Sequence, residues 1–210
     1  EYRSLKIPWG INLYFMNYKD QLVLTGKIND VGAYTRTNID KSYRAGIELT
    51  GGGQICQWLS ASANLTLSRN KVKDFTEFID DYDNGGQQTI FYKSSDIAFS
   101  PSVTSAYSIN IIPAKNTGIS LMGKYVSRQY LDNTGQKSRS LDGFYTQDVR
   151  VDYAWEKYAN LFLQVNNIFS KKYEPNGYTF SYFYGGELTT ENYYFPMAPV
   201  NWVIGMNIKL

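Results

Sequence analysis

The sequence predicts an all-β chain: an antiparallel transmembrane β-barrel segment, about eight strands of a larger barrel. Three observations predict it. Apolar and polar residues alternate with period 2 in segment after segment. No stretch approaches the roughly 18 consecutive apolar residues that a spanning helix requires, and a closed barrel is the other way a chain crosses a bilayer. The connections between segments alternate short and long, as in outer-membrane barrels.

In chain order, the first strand is expected over 9–24, with Ile11, Leu13 and Phe15 on one side. Ala45, Ile47 and Leu49 then alternate with Arg44, Gly46 and Glu48. The clearest strand covers 59–70, where Leu59, Ala61, Ala63, Leu65 and Leu67 alternate with Ser60, Ser62, Asn64, Thr66 and Ser68 without an error. Segments 98–112 (Val103, Tyr107, Ile109, Ile111) and 118–130 (Ile119, Leu121, Tyr125) follow less cleanly. Val149, Val151, Tyr153 and Trp155 alternate with Asp148, Arg150, Asp152 and Ala154, and Leu161, Leu163 and Val165 with Phe162, Gln164 and Asn166. The last strand, 200–210, sets Val200, Trp202, Ile204, Met206, Ile208 and Leu210 against Asn201, Val203, Gly205, Asn207 and Lys209. No 3.6-residue pattern of useful length appears.

The connections run short at 51–57, 113–117 and 156–160 and long at 74–96, 131–142 and 170–198. A soluble sandwich also alternates, but it has no reason to sort its loops by length. With the short turns periplasmic, Trp9, Trp58 and Trp155 fall at the periplasmic rim and Trp202 towards the opposite one, as aromatic belts at membrane interfaces require. The polar faces carry Arg44, Glu48, Asp148, Arg150 and Asp152 among Ser, Asn and Thr, which suits a wet or protein-filled lumen. An Arg on the lipid side costs about 2–4 kcal/mol at mid-height, and positions 59–67 carry no charge there.

Composition narrows the function. The chain has 210 residues with 21 basic and 19 acidic side chains, and a net charge of +2 gives no nucleic-acid footprint. The absence of histidine removes Ser-His-Asp and Cys-His nucleophilic sites and histidine zinc ligands. The lone Cys56 forms no internal disulfide. Nineteen Tyr, 11 Phe and 4 Trp are the excess that a membrane interface uses. No catalytic constellation, cofactor or metal site is expected. Glu1-Tyr2-Arg3 running into a short turn at 4–8 reads as the tail of an earlier strand, so the chain is expected to be part of a longer barrel.

Ile11–Gly26, Ser42–Leu49, the closing strand to Leu210 and above all Leu161–Glu174, with its Asn-Asn-Ile-Phe and Lys-Lys-Tyr, resemble barrel strands of TonB-dependent receptors, most closely those of the Bacteroidetes group. The resemblance implies a C-terminal portion of a large barrel plugged by an N-terminal domain, in the outer membrane of a Gram-negative bacterium. Its partners would be the plug, the remaining strands, outer-membrane lipid and, through the plug, the TonB complex. The implied cargo is a scarce nutrient such as an iron-siderophore, haem or cobalamin. Leu210 departs from the aromatic residue that commonly ends the family. A self-standing small barrel serving as anchor or adhesin, and a soluble β-sandwich binding module, remain as alternatives.

Within the aromatic loop from Tyr173 to Pro196, Gly185-Gly186 predicts a hairpin of 179–184 with 188–194. Tyr182, Tyr184 and Tyr193 are the candidate substrate contacts, against the simpler reading that these rings pair across strands and join the outer belt. Asp80, Asp81 and Asp83 before Gly85-Gly86 fail the EF-hand spacing and read as a solvated loop. Asp148, Arg150 and Asp152 are expected to form ion pairs, and Gly51–Gly53 to form a turn.

Overall fold

The computed structural model describes residues 8–156 and 158–208. The expected strand tail Glu1–Arg3, most of the turn at 4–8 and the terminal Leu210 lie outside the described residues. No described residue is helical. Eight strands pair side by side in one antiparallel sheet: β1 (Trp9–Ile28), β2 (Tyr34–Cys56), β3 (Leu59–Asp81), β5 (Val103–Ala114), β6 (Thr117–Val126), β9 (Phe144–Trp155), β10 (Ala159–Asn166) and β13 (Asn201–Ile208). Each corresponds to one segment expected from the alternation. Beyond this wall stand β4 (Gln87–Asp96), the short pair β7 (Gln129–Tyr130) and β8 (Ser140–Leu141), and the hairpin β11 (Asn176–Tyr184) with β12 (Glu187–Phe195).

The register preserves the two faces from strand to strand. Leu13 is level with Ile47 and Leu67, and on the other face Glu48 is level with Asn12 and Thr66. The apolar face is open: Leu13 and Phe15 are more than 70% exposed and Ile204 is 66% exposed. Leu65 and Val151 lie on this face and are not buried. A water-soluble sheet covers such a stripe with a second layer, and here the remaining sheet among the described residues is the two-stranded β7–β8. β1 and β13, at the two ends of the strand order, do not pair with each other, so the eight strands form an open wall rather than a closed small barrel.

Strand heights differ sharply. β1, β2 and β3 have 20, 23 and 23 residues, whereas β5, β6, β9, β10 and β13 have 8 to 12. At about 3.3 Å per residue a 23-residue strand reaches roughly 75 Å, far beyond the 9–11 residues that cross a hydrocarbon layer. The expected long loop 74–96 is therefore mostly strand: the top of β3 pairs with β4 from Lys71↔Asp96 to Asp80↔Gln87. The expected turn at Gly51–Gly53 is strand as well. β2 continues to Cys56 and turns through Gln57-Trp58, because glycine tolerates the extended ladder when neighbours crowd it. Gly46 is such a place: Tyr14 lies across it, and a Cβ there would stand 2.6 Å from the Leu67 carbonyl oxygen.

At the end of the long connections a small core closes. Val23, Ile39, Val72 and Ile97 form one buried cluster, with Phe75 packed against it. Leu131 and Leu141 are buried in the β7–β8 segment. Asn133, fully buried, stitches that segment to the wall. Its Oδ1 accepts from the Ala98 amide at 2.9 Å, its carbonyl accepts from Ser95 and its Nδ2 donates to the Leu24 carbonyl. Because a side chain at position 46 meets backbone, Gly46→Ala is expected to destabilise the folded chain by about 1–3 kcal/mol. Urea unfolding of the protein in lipid vesicles measures the loss.

Candidate functional site

A cavity of about 510 Å³ lies at the end of the long connections. The tops of β1, β2 and β3 supply Thr25, Thr37 and Thr76, the segment between β7 and β8 supplies Asp132, Thr134 and Arg139, and β11 supplies Thr179, Phe180 and Ser181. Seven of the lining residues carry hydroxyls, which donate and accept, beside Ile39, Phe75 and Phe180, so the cavity can meet both hydrogen-bonding and apolar groups.

Arg139 organises one wall. It is 1% exposed, donates to Glu77 of β3 and to Asp132 Oδ2 at 3.0 Å, and reaches Thr190 Oγ1 of β12 at 3.5 Å. Tyr92 donates to Glu77 Oε2 at 3.0 Å and accepts from Gln136 Nε2 at 2.8 Å. Burial is the largest influence on the guanidinium and pulls its pKa down, but Asp132 and Glu77 together more than reverse it, so Arg139 remains charged. Its buried Nε–H has no acceptor among the described residues. Burial, then the charge of Glu77, pushes the Tyr92 phenol upward.

The β11–β12 hairpin roofs this region. It leaves the wall after β10 and returns at β13, yet its tip docks on β3 near the far end of the strand order, with Tyr182↔Asp80 and Phe183↔Asp81 in parallel pairing. Gly185 and Gly186 have φ of 65° and 78°, the two positive values of a type I′ turn. The Asp83 carboxylate accepts from both of their amides at 2.8 Å, and the Tyr82 amide donates to the Phe183 carbonyl at 3.0 Å. At the hairpin base Tyr34 donates to Asn176 Oδ1 and to the Gly177 carbonyl. The three aspartates are thus occupied by protein donors: Asp83 holds the hairpin tip, Asp80 accepts from Gln87, and Asp81 accepts from the amides of Asp83 and Asn84 and from Gln88 and Asn84 side chains. The Gln88 and Asn84 hydrogen bonds hold the Asp81 carboxyl below the ordinary carboxylate value.

The three candidate tyrosines separate. Tyr182 and Tyr193 donate to the two oxygens of Glu191 at 2.9 and 2.6 Å, which raises both phenols and lowers the carboxyl. Tyr193 stacks on Tyr178 at 4.9 Å and on Phe180 at 6.0 Å, a cross-strand ladder. Tyr184 stands at the turn, 68% exposed. Cavity and ladder share Phe180, while Thr179 and Ser181 face the cavity and were not singled out by the sequence.

On the polar face of the wall, Arg150 grips Asp152 through Nε and Nη2, at 2.9 Å to Oδ2 and 2.7 Å to Oδ1, and lies 3.9 Å from the Phe162 ring. Asp148 makes no ion pair among the described residues; it accepts from the Asn167 amide at 2.8 Å. Asn167 explains the Asn-Asn-Ile-Phe motif. It holds φ at 50°, its side chain donates to the Lys171 carbonyl and accepts from the Lys171 amide, and Tyr173 then stacks on Phe144 at 4.2 Å. Arg44 donates to Asn70 and Ser100, and Glu48 accepts from Asn12. Trp9 opens β1, Trp58 sits in the β2–β3 turn and Trp155 ends β9, all at the short-connection end, while Trp202 pairs with Val165 high on β10; all four are exposed.

An open apolar face, a polar face opposite and a layer over the long-connection end define part of an antiparallel transmembrane β-barrel. A family model described as TonB dependent receptor-like, beta-barrel matches residues 2–168, and the chain belongs to that family. No curated protein matches it in sequence. Among solved structures it is similar to the siderophore receptor PiuA from Acinetobacter baumannii, at 16% identity with a TM-score of 0.70 over 96% of this chain and 26% of that one. It is also similar to the closed form of the ferric-catecholate import receptor Fiu from Escherichia coli K12 (14%, 0.65, 96% and 25%). The ferric yersiniabactin uptake receptor FyuA from Yersinia pestis is a third such structure (18%, 0.61, 95% and 27%). The chain spans about a quarter of the length of these structures.

Two measurements check the site. Arg139→Met leaves Glu77 and Asp132 buried without their cation, at an expected cost of about 3–5 kcal/mol, read as faster proteolysis of the outer segments. The folded Asp81 pKa lies below its unfolded value, so its stabilisation is complete above the ordinary carboxylate value of 3.8 and is lost as pH falls through the folded pKa. Hydrogen exchange at the Asp83 and Asn84 amides is expected to accelerate over that acid window, and Asp81→Asn to remove the pH dependence.

Proposed function

We propose that this chain is part of the barrel wall and outer ligand-binding segments of an outer-membrane receptor for TonB-dependent uptake of a scarce nutrient. The observation that carries the reading is the open wall itself: eight hydrogen-bonded strands with an uncovered apolar face and a polar face opposite, which fits lipid outside and a plugged lumen inside. The free edges of β1 and β13 then pair with further strands of the parent barrel, since an unpaired edge in hydrocarbon costs several kcal/mol per orphaned group. An iron chelate is the favoured cargo, supported by the siderophore and ferric-catecholate receptors among the similar structures. The Asn-Asn-Ile-Phe strand end supports a receptor of the Bacteroidetes type.

In this reading the cavity beneath the β11–β12 hairpin receives the ligand, with Tyr182, Tyr184 and Tyr193 along its approach. Arg44, Glu48, Asp148, Arg150 and Asp152 line the lumen beside the plug. Trp9, Trp58 and Trp155 anchor the periplasmic interface and Trp202 the outer one. The plug, elsewhere in the parent protein, is moved by the TonB complex to admit the cargo. Bacteria carrying the parent receptor are expected to accumulate a radiolabelled ferric siderophore, to lose that uptake when TonB is deleted, and to show it reduced about tenfold by alanine at Tyr182, Tyr184 and Tyr193 together. Uptake that persists without TonB contradicts the reading.

A further inference from the structure

Where β1, β2 and β3 leave the apolar band, three lysines stand in one row: Lys19 is level with Lys41, and Lys41 with Lys73. One step lower on the same face are Asn17, Tyr43 and Lys71, then Phe15, Ala45 and Arg69, then the purely apolar Leu13, Ile47 and Leu67. Side-chain contacts confirm the shared face, since Phe15 stacks on Tyr43 at 6.0 Å and Lys73 Nζ lies 5.7 Å from the Tyr43 ring. The face that is greasy below thus becomes fully cationic within three steps.

Most of these charges lack a carboxylate partner among the described residues. Lys71 pairs with Asp96 at 2.8 Å, but Lys19, Lys41, Lys73 and Arg69 make no ion pair among the described residues. Asp20 and Asp40 border the same hollow of about 710 Å³ without reaching ion-pair distance of a lysine. Like charges directly opposite one another destabilise a sheet, so the row gains stability from an anion supplied from outside the chain. Its height identifies the source. Lys73 is the fifteenth residue of β3, and about 9–11 residues cross the hydrocarbon, so the row stands at headgroup level on the long-connection side.

We propose that Lys19, Lys41 and Lys73 bind the phosphate groups of an outer-leaflet lipid whose acyl chains lie on the apolar stripe beneath. This rests on the membrane reading above. A basic residue at an anionic lipid surface is worth about a fivefold gain in binding. The test uses the full-length parent receptor purified in detergent, titrated with diphosphorylated lipid A, the same lipid after dephosphorylation, and inorganic phosphate. Lipid A is expected to bind selectively, and its affinity to fall about fivefold for Lys41→Gln and by a hundredfold or so for the triple Lys→Gln variant. Heat-modifiable electrophoretic mobility checks that each variant is folded, and the single variant decides should the triple one not fold. Equal binding of the dephosphorylated lipid, matching effects from inorganic phosphate, or unchanged affinity in Lys41→Gln overturns the proposal. A receptor that does not enter bilayers overturns the membrane reading itself, whereas one that inserts without phosphate selectivity overturns only this site.

Discussion

Hydrocarbon offers no partner to a peptide group, and the rest of the structure depends on that fact. Every N–H and C=O at membrane depth has to be answered inside the protein. The continuous antiparallel ladder from β1 to β13 does this for all strands but the two outermost. With the backbone settled strand to strand, side chains are free to sort by face, and period-2 alternation follows as the pleat's consequence. The same requirement limits irregularity in the wall to short two- to three-residue turns at one end and concentrates it in the tall segments at the other.

Those tall segments behave as a small globular layer built on a membrane wall. Three long strands rise on one side and five short ones stand on the other, and the β7–β8 segment and the β11–β12 hairpin occupy the space between. What holds them is polar and specific rather than greasy. Asn133 joins three elements, Arg139 bridges β3 to its neighbours, and Asp83 clasps the tip of a hairpin that begins at the other end of the wall. Removing one member of such a network leaves its partners buried and unmet, so each bond is worth more to the roof than its own net energy. A cavity lined by both hydroxyls and apolar rings is the natural product of this construction.

The wall was legible in the sequence because alternation is a local property: nine residues from Leu59 to Leu67 suffice to orient a strand. The hairpin at Gly185-Gly186 was legible for the same reason, since a type I′ turn needs two positive φ values and paired glycines supply them. The cavity was not legible. Arg139, Glu77 and Thr179 are far apart in the chain, and nothing local marks an arginine that two carboxylates will bury. Upper β3 was hidden because Lys71, Asp74, Glu77 and Asp81 mix with Val72, Phe75 and Ile79 in no clean period, and above the bilayer no lipid enforces one. Gly51–Gly53 misled because glycine signals a turn by its freedom, while in β2 it relieves crowding, as at Gly52 beside Ser62.

The central claim is that the apolar stripe of the wall touches acyl chains while the polar stripe faces away from them. Single cysteines at Leu65, Val151 and Thr66, introduced where Cys56 has been replaced by serine, can each carry a fluorophore in the protein reconstituted with brominated lipids. The account predicts strong quenching at positions 65 and 151 and little at position 66. Equal quenching at all three, or protection of 65 and 151, would contradict it.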